Sequence, residues 1–207
     1  MQQCILSTAY WAPVQYFTKL VLYDEIFIEK QEIYQRQSYR NRMMIYGVNK
    51  IQSLQVPVVK GSFKKISVRD IKIAYDTAWQ KNHLKTIESA YRSTPFYEFY
   101  IDDILPFYTK KYNFLIDYNS DILTVCFDLL GIDVNVNFTE RYEYPAKCDD
   151  FRNSIHPKKQ VADKNFLPVE YIQGFEQRHG FIPNLSILDL IFNTGSDAAS
   201  IIKKSCK

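Results

Sequence analysis

Apolar and polar positions alternate along this chain in two distinct periods, and the N-terminal part uses both. Cys4, Ile5 and Leu6 form a short apolar run that predicts a strand over 4–8, and Pro13 opens a helix on which Tyr16, Phe17, Leu20 and Val21 recur at helical spacing. Asp24 then precedes Ile26, Phe27 and Ile28, a second short strand, so the chain begins strand, helix, strand, the start of an α/β fold. Further strands are predicted at 54–59, where Pro57 demotes the segment to an edge or a bulge, and at 71–73. Asp76 or Thr77 caps a helix from Ala78 on which Trp79, His83 and Ile87 share one face, and Pro95 ends it.

In the second half, Ser120 caps a helix over 121–130 that Gly131 closes. Ile132, Val134, Val136 and Phe138 then alternate with Asp133, Asn135 and Asn137, the clearest strand pattern in the sequence. Residues 141–167 have no period and read as a long ordered loop, a length that is usually functional in a compact domain. Helices follow at 169–179, stopped by Gly180, at 186–193 with a capping-box-like start at Ser186, and at 198–204. No repeat or linker interrupts the pattern. The expectation is one domain over 1–207, an α/β fold with a mixed sheet flanked by helices.

Composition agrees with a globular domain: 207 residues, 46% hydrophobic, 24% charged, with only six glycines and eight prolines. Sixteen tyrosines suggest partly wet surfaces where a ring packs and a hydroxyl finds a partner. Cys4, Cys126, Cys148 and Cys206 are scattered without metal-ligand spacing, and three lone histidines make no zinc site, so no metal is expected. No apolar run approaches membrane-spanning length, and the N-terminus lacks a basic region with a long apolar core. Those features predict no membrane insertion and a cytoplasmic protein.

Net charge is a modest +3, but its distribution is uneven. Between Glu32 and Asp70 there is no acid, while Arg36, Arg40, Arg42, Lys50, Lys60, Lys64, Lys65 and Arg69 all fall there. A single basic segment fits an anionic small molecule, such as a nucleotide or nucleotide sugar, better than it fits nucleic acid. Arg40, Arg42 and Arg152 present planar forks for phosphate or carboxylate, although such a run also serves as a solvated ion-pair loop. His83, on the Trp79 face, is either a general base or a satisfied core imidazole. Asp189, on an otherwise apolar helix, either caps Ser186 or is a buried carboxylate that orients an Arg or His. His179 reads as a helix cap, and His156, beside Pro157 and Lys158, as the most exposed of the three.

These residues fall in blocks that resemble the WbqC-like family. The blocks are Pro13-Val14-Gln15-Tyr16-Phe17, Tyr34 to Arg42, Leu54 to Val58, Trp79 with His83, Tyr91 with Ser93, Pro95 and Phe96, Asp150-Phe151-Arg152, and His156-Pro157-Lys158. Later ones are Tyr171 to Phe175, His179-Gly180-Phe181, Pro183 to Ser186 and Asp189 to Asn193. Many relatives carry an Asp pair after the second strand, where this chain has Glu29 and Glu32. The order strand, loop, helix, Asp24, strand also resembles Rossmann-like, nucleotidylyltransferase-like domains, but Pro13-Val14-Gln15-Tyr16 stands where their H-x-G-H motif would be.

The family is associated with bacterial O-antigen and other surface-polysaccharide gene clusters. The resemblance therefore implies a group transferase that moves an acyl or aminoacyl group onto an amino-sugar or nucleotide-sugar precursor, with no cofactor identified. In that reading His83 and Asp189 are catalytic, while Gln15, Tyr16, Tyr39, Arg40, Asn41, Arg42, Arg152, Lys158 and Asn184 bind substrate. The alternatives are a non-catalytic binding or assembly protein of the same pathway and, third, a nucleic-acid-binding protein. Arg40, Arg42 and His83 are expected to line one concave site, covered by the 141–167 loop, with Asp150 or Asp189 neutralising one arginine. Charge reversal at Arg152 is expected to abolish ligand binding at little cost to the fold.

Overall fold

The computed structural model describes residues 2–59, 66–142, 148–159 and 161–207. In chain order the elements are β1 (Gln3–Ser7), α1 (Val14–Leu22), β2 (Glu25–Glu29), β3 (Arg42–Gly47), β4 (Lys50–Gln55), α2 (Trp79–Tyr91), α3 (Tyr97–Ile104), α4 (Pro106–Thr109) and α5 (Leu115–Leu130). After these come β5 (Val136–Phe138), β6 (Cys148–Asp150), α6 (Glu176–His179), α7 (Ile187–Thr194) and α8 (Ala198–Lys204). The fold is α/β. Four strands in the order β5-β2-β1-β6 make one sheet, and every pairing in it is parallel, with Cys4 opposite Ile26 and Asp149. Cys4, Ile5 and Leu6 are wholly buried because helices and loops cover both faces of the central strand, as parallel sheets require.

Among the named strands, antiparallel pairing falls in a separate hairpin, β3 with β4, so the expected mixed sheet divides into a parallel sheet and a two-stranded ribbon. The ribbon was hidden in the sequence because Lys50 to Ser53 are polar or exposed, and only Leu54 of β4 is buried. β3 docks onto helices instead, with Tyr46 N–H donating to the Tyr91 hydroxyl and Ser186 N–H to the Met44 carbonyl. Of residues 54–59, only Leu54 and Gln55 are in a strand, and Val58 makes a single bridge to Ile73.

Several predicted bounds shift. α5 begins at Leu115, because Ser120 uses its hydroxyl on the Ile116 carbonyl instead of capping a helix; Gly131, at φ 60°, closes it as expected. The alternating stretch 132–138 is a strand only over Val136–Phe138. The expected helix over 169–179 is one turn, Glu176–His179, since Tyr171 and Gln173 turn inward to Asp189. The predicted loop 141–167 contains the edge strand β6; its residues 143–147 and 160, like Lys60, Lys64 and Lys65, lie outside the described residues.

One hydrophobic cluster runs from β1 through α1, β3, α2 and α5 to α7 and α8. α7 is enclosed on all sides, with Ile187 to Phe192 buried without a break, so the C-terminal helices complete the core that the N-terminal sheet begins.

Candidate functional site

Leaving β1, the chain moves to β2 on one side, and β5 lies beyond it. It then returns to place β6 on the other side of β1. The strand order reverses at β1, and in open parallel sheets the crevice outside the carboxyl ends at such a reversal is where ligands bind. Ser7, Thr8 and Ala9 leave β1 there, and Phe151, Arg152 and Ile155 follow β6; with Tyr16, Tyr39 and Arg40 they line a cavity of about 10 Å³, space for roughly one water.

The floor of the crevice is a network of matched charges. Arg40 donates through Nε to Glu32 Oε1 at 2.8 Å and through Nη2 to Ser7 Oγ at 2.7 Å and the Arg152 carbonyl at 3.2 Å. Arg152 donates to Glu29 Oε2 at 3.0 Å and to both oxygens of Asp150, at 3.0 and 2.7 Å, with the Tyr142 ring 4.7 Å from its guanidinium carbon. Glu29 is completed by Thr139 Oγ1 and the Gln31 N–H, each at 2.7 Å. Burial by itself would raise the Asp150 pKa, but the hydrogen bonds from Arg152 outweigh it and hold the carboxyl below its ordinary value. Burial likewise opposes the Arg152 charge, yet Asp150 pushes its pKa up. Both guanidinium groups are therefore matched by carboxylates of the protein itself. The expectation that Arg152 could be reversed cheaply does not hold for a side chain 2% exposed between two carboxylates.

The mouth is different. The 35–42 segment and the 151–159 segment are laced together by Gln35 Nε2 on Asn153 Oδ1 at 2.7 Å and by Lys158 Nζ on Gln37 Oε1, with Gln37 at φ 59°. Arg42 reaches Gln55 Oε1 at 2.8 Å, while its buried Nε has no partner among the described residues. No carboxylate among the described residues pairs with Arg42, Lys158 or Lys159. His156 accepts the Lys158 N–H on Nδ1 at 3.1 Å. Burial lowers its pKa, and Lys159, Arg40, Lys158 and Arg42 lower it further. Burial raises the Tyr34 hydroxyl to about 12 against the opposing charges of Arg40, Arg36 and Arg42, so these cations share one region.

The remaining candidates have structural partners. The first N–H groups of α1, a natural anion site in related sheets, are taken by the chain itself: Val14 N–H donates to the Leu185 carbonyl and Gln15 N–H to Asn184 Oδ1 at 2.9 Å. The Gln15 amide also joins Asn184 to Asp163, which pairs with the fully buried Lys19 at 2.7 Å. Asn41 donates to the Val56 carbonyl, and Tyr16 donates to the Ser7 carbonyl at 2.9 Å.

His83 does not line the cavity that Arg40 lines. It sits among Tyr10, Trp79 and Tyr108, with Nδ1 3.0 Å from the Tyr10 hydroxyl, and burial drives its pKa to about 4 against a hydrogen bond to the Gln55 backbone. Gln55 links it to Arg42, whose side chain the same residue receives. Asp189 pairs with no arginine among the described residues. It accepts from Tyr171 at 2.7 Å and Gln173 at 2.8 Å, and burial raises its pKa to about 6 despite those bonds. Asp150 alone fulfils the counter-ion role that was expected of one of the two acids.

Glu29, Glu32, Ser7 and His156 were absent from the candidate residues. Glu29 and Glu32 had a signal, since Glu29 ends the second strand and Glu32 follows just after it, at the functional end of a parallel sheet. His156 stood in the His156-Pro157-Lys158 block but was read only as exposed, and Ser7 had no signal, because only the tertiary fold brings residues 7, 40 and 152 together.

An α/β domain with a charge-lined crevice at the reversal of its parallel sheet is the class that the geometry defines. The family model described as the WbqC-like protein family matches residues 9–163, three quarters of the chain, and the protein belongs to that family. The match takes in Arg40, Arg42, Arg152 and the 151–159 segment, while Ser7 and Thr8 lie before it and Asn184 and Asp189 beyond it. A Mycobacterium tuberculosis (strain ATCC 25618 / H37Rv) protein named "Uncharacterized protein Rv1507c" is 24% identical over 91% of this chain and 91% of its own length. No solved structure matches. Among the described residues no helix is long and apolar enough to cross a membrane, and no group of His, Cys, Asp and Glu could hold a metal ion.

Proposed function

We propose that the protein binds a phosphate-bearing small molecule, a nucleotide or nucleotide sugar, at the mouth of the β1/β6 crevice. There it acts as an acyl or aminoacyl transferase on an amino-sugar precursor of bacterial surface polysaccharide. The observation that supports this reading is the group of cations at the mouth, Arg42, Lys158 and Lys159, without carboxylate partners among the described residues, beside a floor where each guanidinium has one. A cationic patch on a rigid, laced pair of loops gains most from a compact polyanion.

A thermal-shift screen against inorganic pyrophosphate, uridine diphosphate, uridine-diphosphate amino sugars and duplex DNA tests it. A ligand at one hundred times its Kd adds about 2.7 kcal/mol. Stabilisation by pyrophosphate and the nucleotides supports the reading; stabilisation by DNA alone, or by none of them, contradicts it. Mass gain of the amino sugar on incubation with an acyl donor then tests the transfer. The second reading, a binding protein without chemistry, is favoured by one observation: His83 is hydrogen-bonded within the core and so is poorly placed to take a substrate proton. A protein that binds the nucleotide sugar but never modifies it would be of that kind.

A further inference from the structure

His156 shares its segment with Lys158 and feels the charges of Lys159, Arg40 and Arg42, and the geometry of its ring gives it a defined task. The Lys158 N–H points at Nδ1 from 3.1 Å, so Nδ1 is an acceptor and the proton of the neutral ring must sit on Nε2. Pro157, between the two residues, narrows the backbone of this turn and keeps the amide on the ring. The charged groups around the imidazole are Lys158 and Lys159 from its own segment and Arg40 and Arg42 from the facing one. A second positive charge there is unfavourable, and the Lys158 amide opposes it again, because protonating Nδ1 would break that bond.

The half-buried ring therefore offers one polar group, the Nε2–H, with no partner among the described residues. An Nε2 that already holds the proton cannot act as a base, but it can donate.

We propose that His156 is a specificity-determining ligand of the anion site, a neutral imidazole that donates its Nε2–H to a phosphoryl oxygen held between Arg42 and Lys158. The proposal rests on the anion-binding reading above and adds a residue and a tautomer to it. Lys158 and Lys159 supply attraction without direction, whereas the Arg42 fork and a ring fixed by a backbone amide supply direction.

The test uses the full chain, with inorganic pyrophosphate as probe. Asn at this position can keep the acceptor for the Lys158 amide but lacks a group at Nε2; Gln reaches the Nε2 position with a donor. Calorimetric affinity is expected to fall about tenfold or more in His156→Asn and to stay within about threefold of wild type in His156→Gln. Long-range proton–nitrogen spectra of the wild type carry signals from three histidines only. They should show His156 as the Nε2–H tautomer in the free protein and a shift of that nitrogen when pyrophosphate is added.

Equal, wild-type affinity in both variants, or an Nδ1–H tautomer in the free protein, overturns the proposal. If binding then still depends on Arg42, the anion site stands without His156. If the wild type does not bind pyrophosphate or the nucleotides at all, the site and the role of His156 fall together. The spectra need no variant, so a substitution that fails to fold leaves the proposal exposed to refutation.

Discussion

The floor and the mouth of the crevice carry the same residue types in opposite states. On the floor, Arg40 and Arg152 are each 2% exposed and each hydrogen-bonded to carboxylates that reach them from β2, from β6 and from the segment after β2. At the mouth, Arg42, Lys158 and Lys159 are partly or fully exposed, and none has a carboxylate among the described residues. Arg40 and Arg42 are two residues apart in the chain. A basic run in a sequence therefore says nothing about which of its members hold the fold and which are free for a ligand; burial and the counter-ions decide that.

The floor offers the largest effect with which to break this contrast. Removing one partner of a buried ion pair strands the other, at about 3–5 kcal/mol. Arg152→Met should lose stability of that order in urea denaturation, with ligand binding untestable in the unfolded remainder. A cost below about 1 kcal/mol would mean that the floor pairs are not what closes β6 onto β1.

Two buried titrating groups outside the crevice give the next effect, and their signs oppose. His83 has a depressed pKa, about 4, so its contribution is complete above 6.5 and is lost as pH falls through that window. Asp189 has a raised pKa, about 6, so its contribution is complete below the ordinary carboxylate range and is lost as pH rises to 6. Each is worth about 3 kcal/mol at 1.36 kcal/mol per unit. Between pH 6 and 4 the two slopes nearly cancel in the wild type. His83→Gln should grow more stable on acidification through that range, and Asp189→Asn less stable. Parallel curves for the two variants would contradict the burial assigned to them.

The mouth should show the smallest effect on stability and a clear one on binding. Arg42→Gln is expected to cost under about 1 kcal/mol of folding stability, since its side chain's hydrogen bond among the described residues is to an amide at the surface. Anion affinity should weaken steeply as salt rises from 0.05 to about 0.2 M in the wild type and much less in the variant.

Much of the central scaffold was legible because it rests on local signals. Apolar runs bounded by turn residues give β1 and β2, helical spacing gives α1 and α2, and Gly131 marks the end of α5. What escaped depends on distant partners. β4 is polar because one face meets solvent, β6 is three residues whose pairing with β1 spans 145 positions, and residues 169–174 forgo a helix for bonds to Asp189. The arginine-rich segment was visible as a site candidate, but its division into matched and unmatched charges was not. Glu29 and Glu32 reach Arg152 and Arg40 only after the sheet has formed.

The central claim is that the mouth binds an anion with charges the fold does not need. Melting curves of the wild type and of Arg42→Gln/Lys158→Gln, with and without inorganic pyrophosphate, test it most directly. The account predicts similar melting temperatures for the two free proteins, a clear upward shift with pyrophosphate in the wild type and none in the double variant. An equal shift in both, or a double variant that melts far lower on its own, would contradict it.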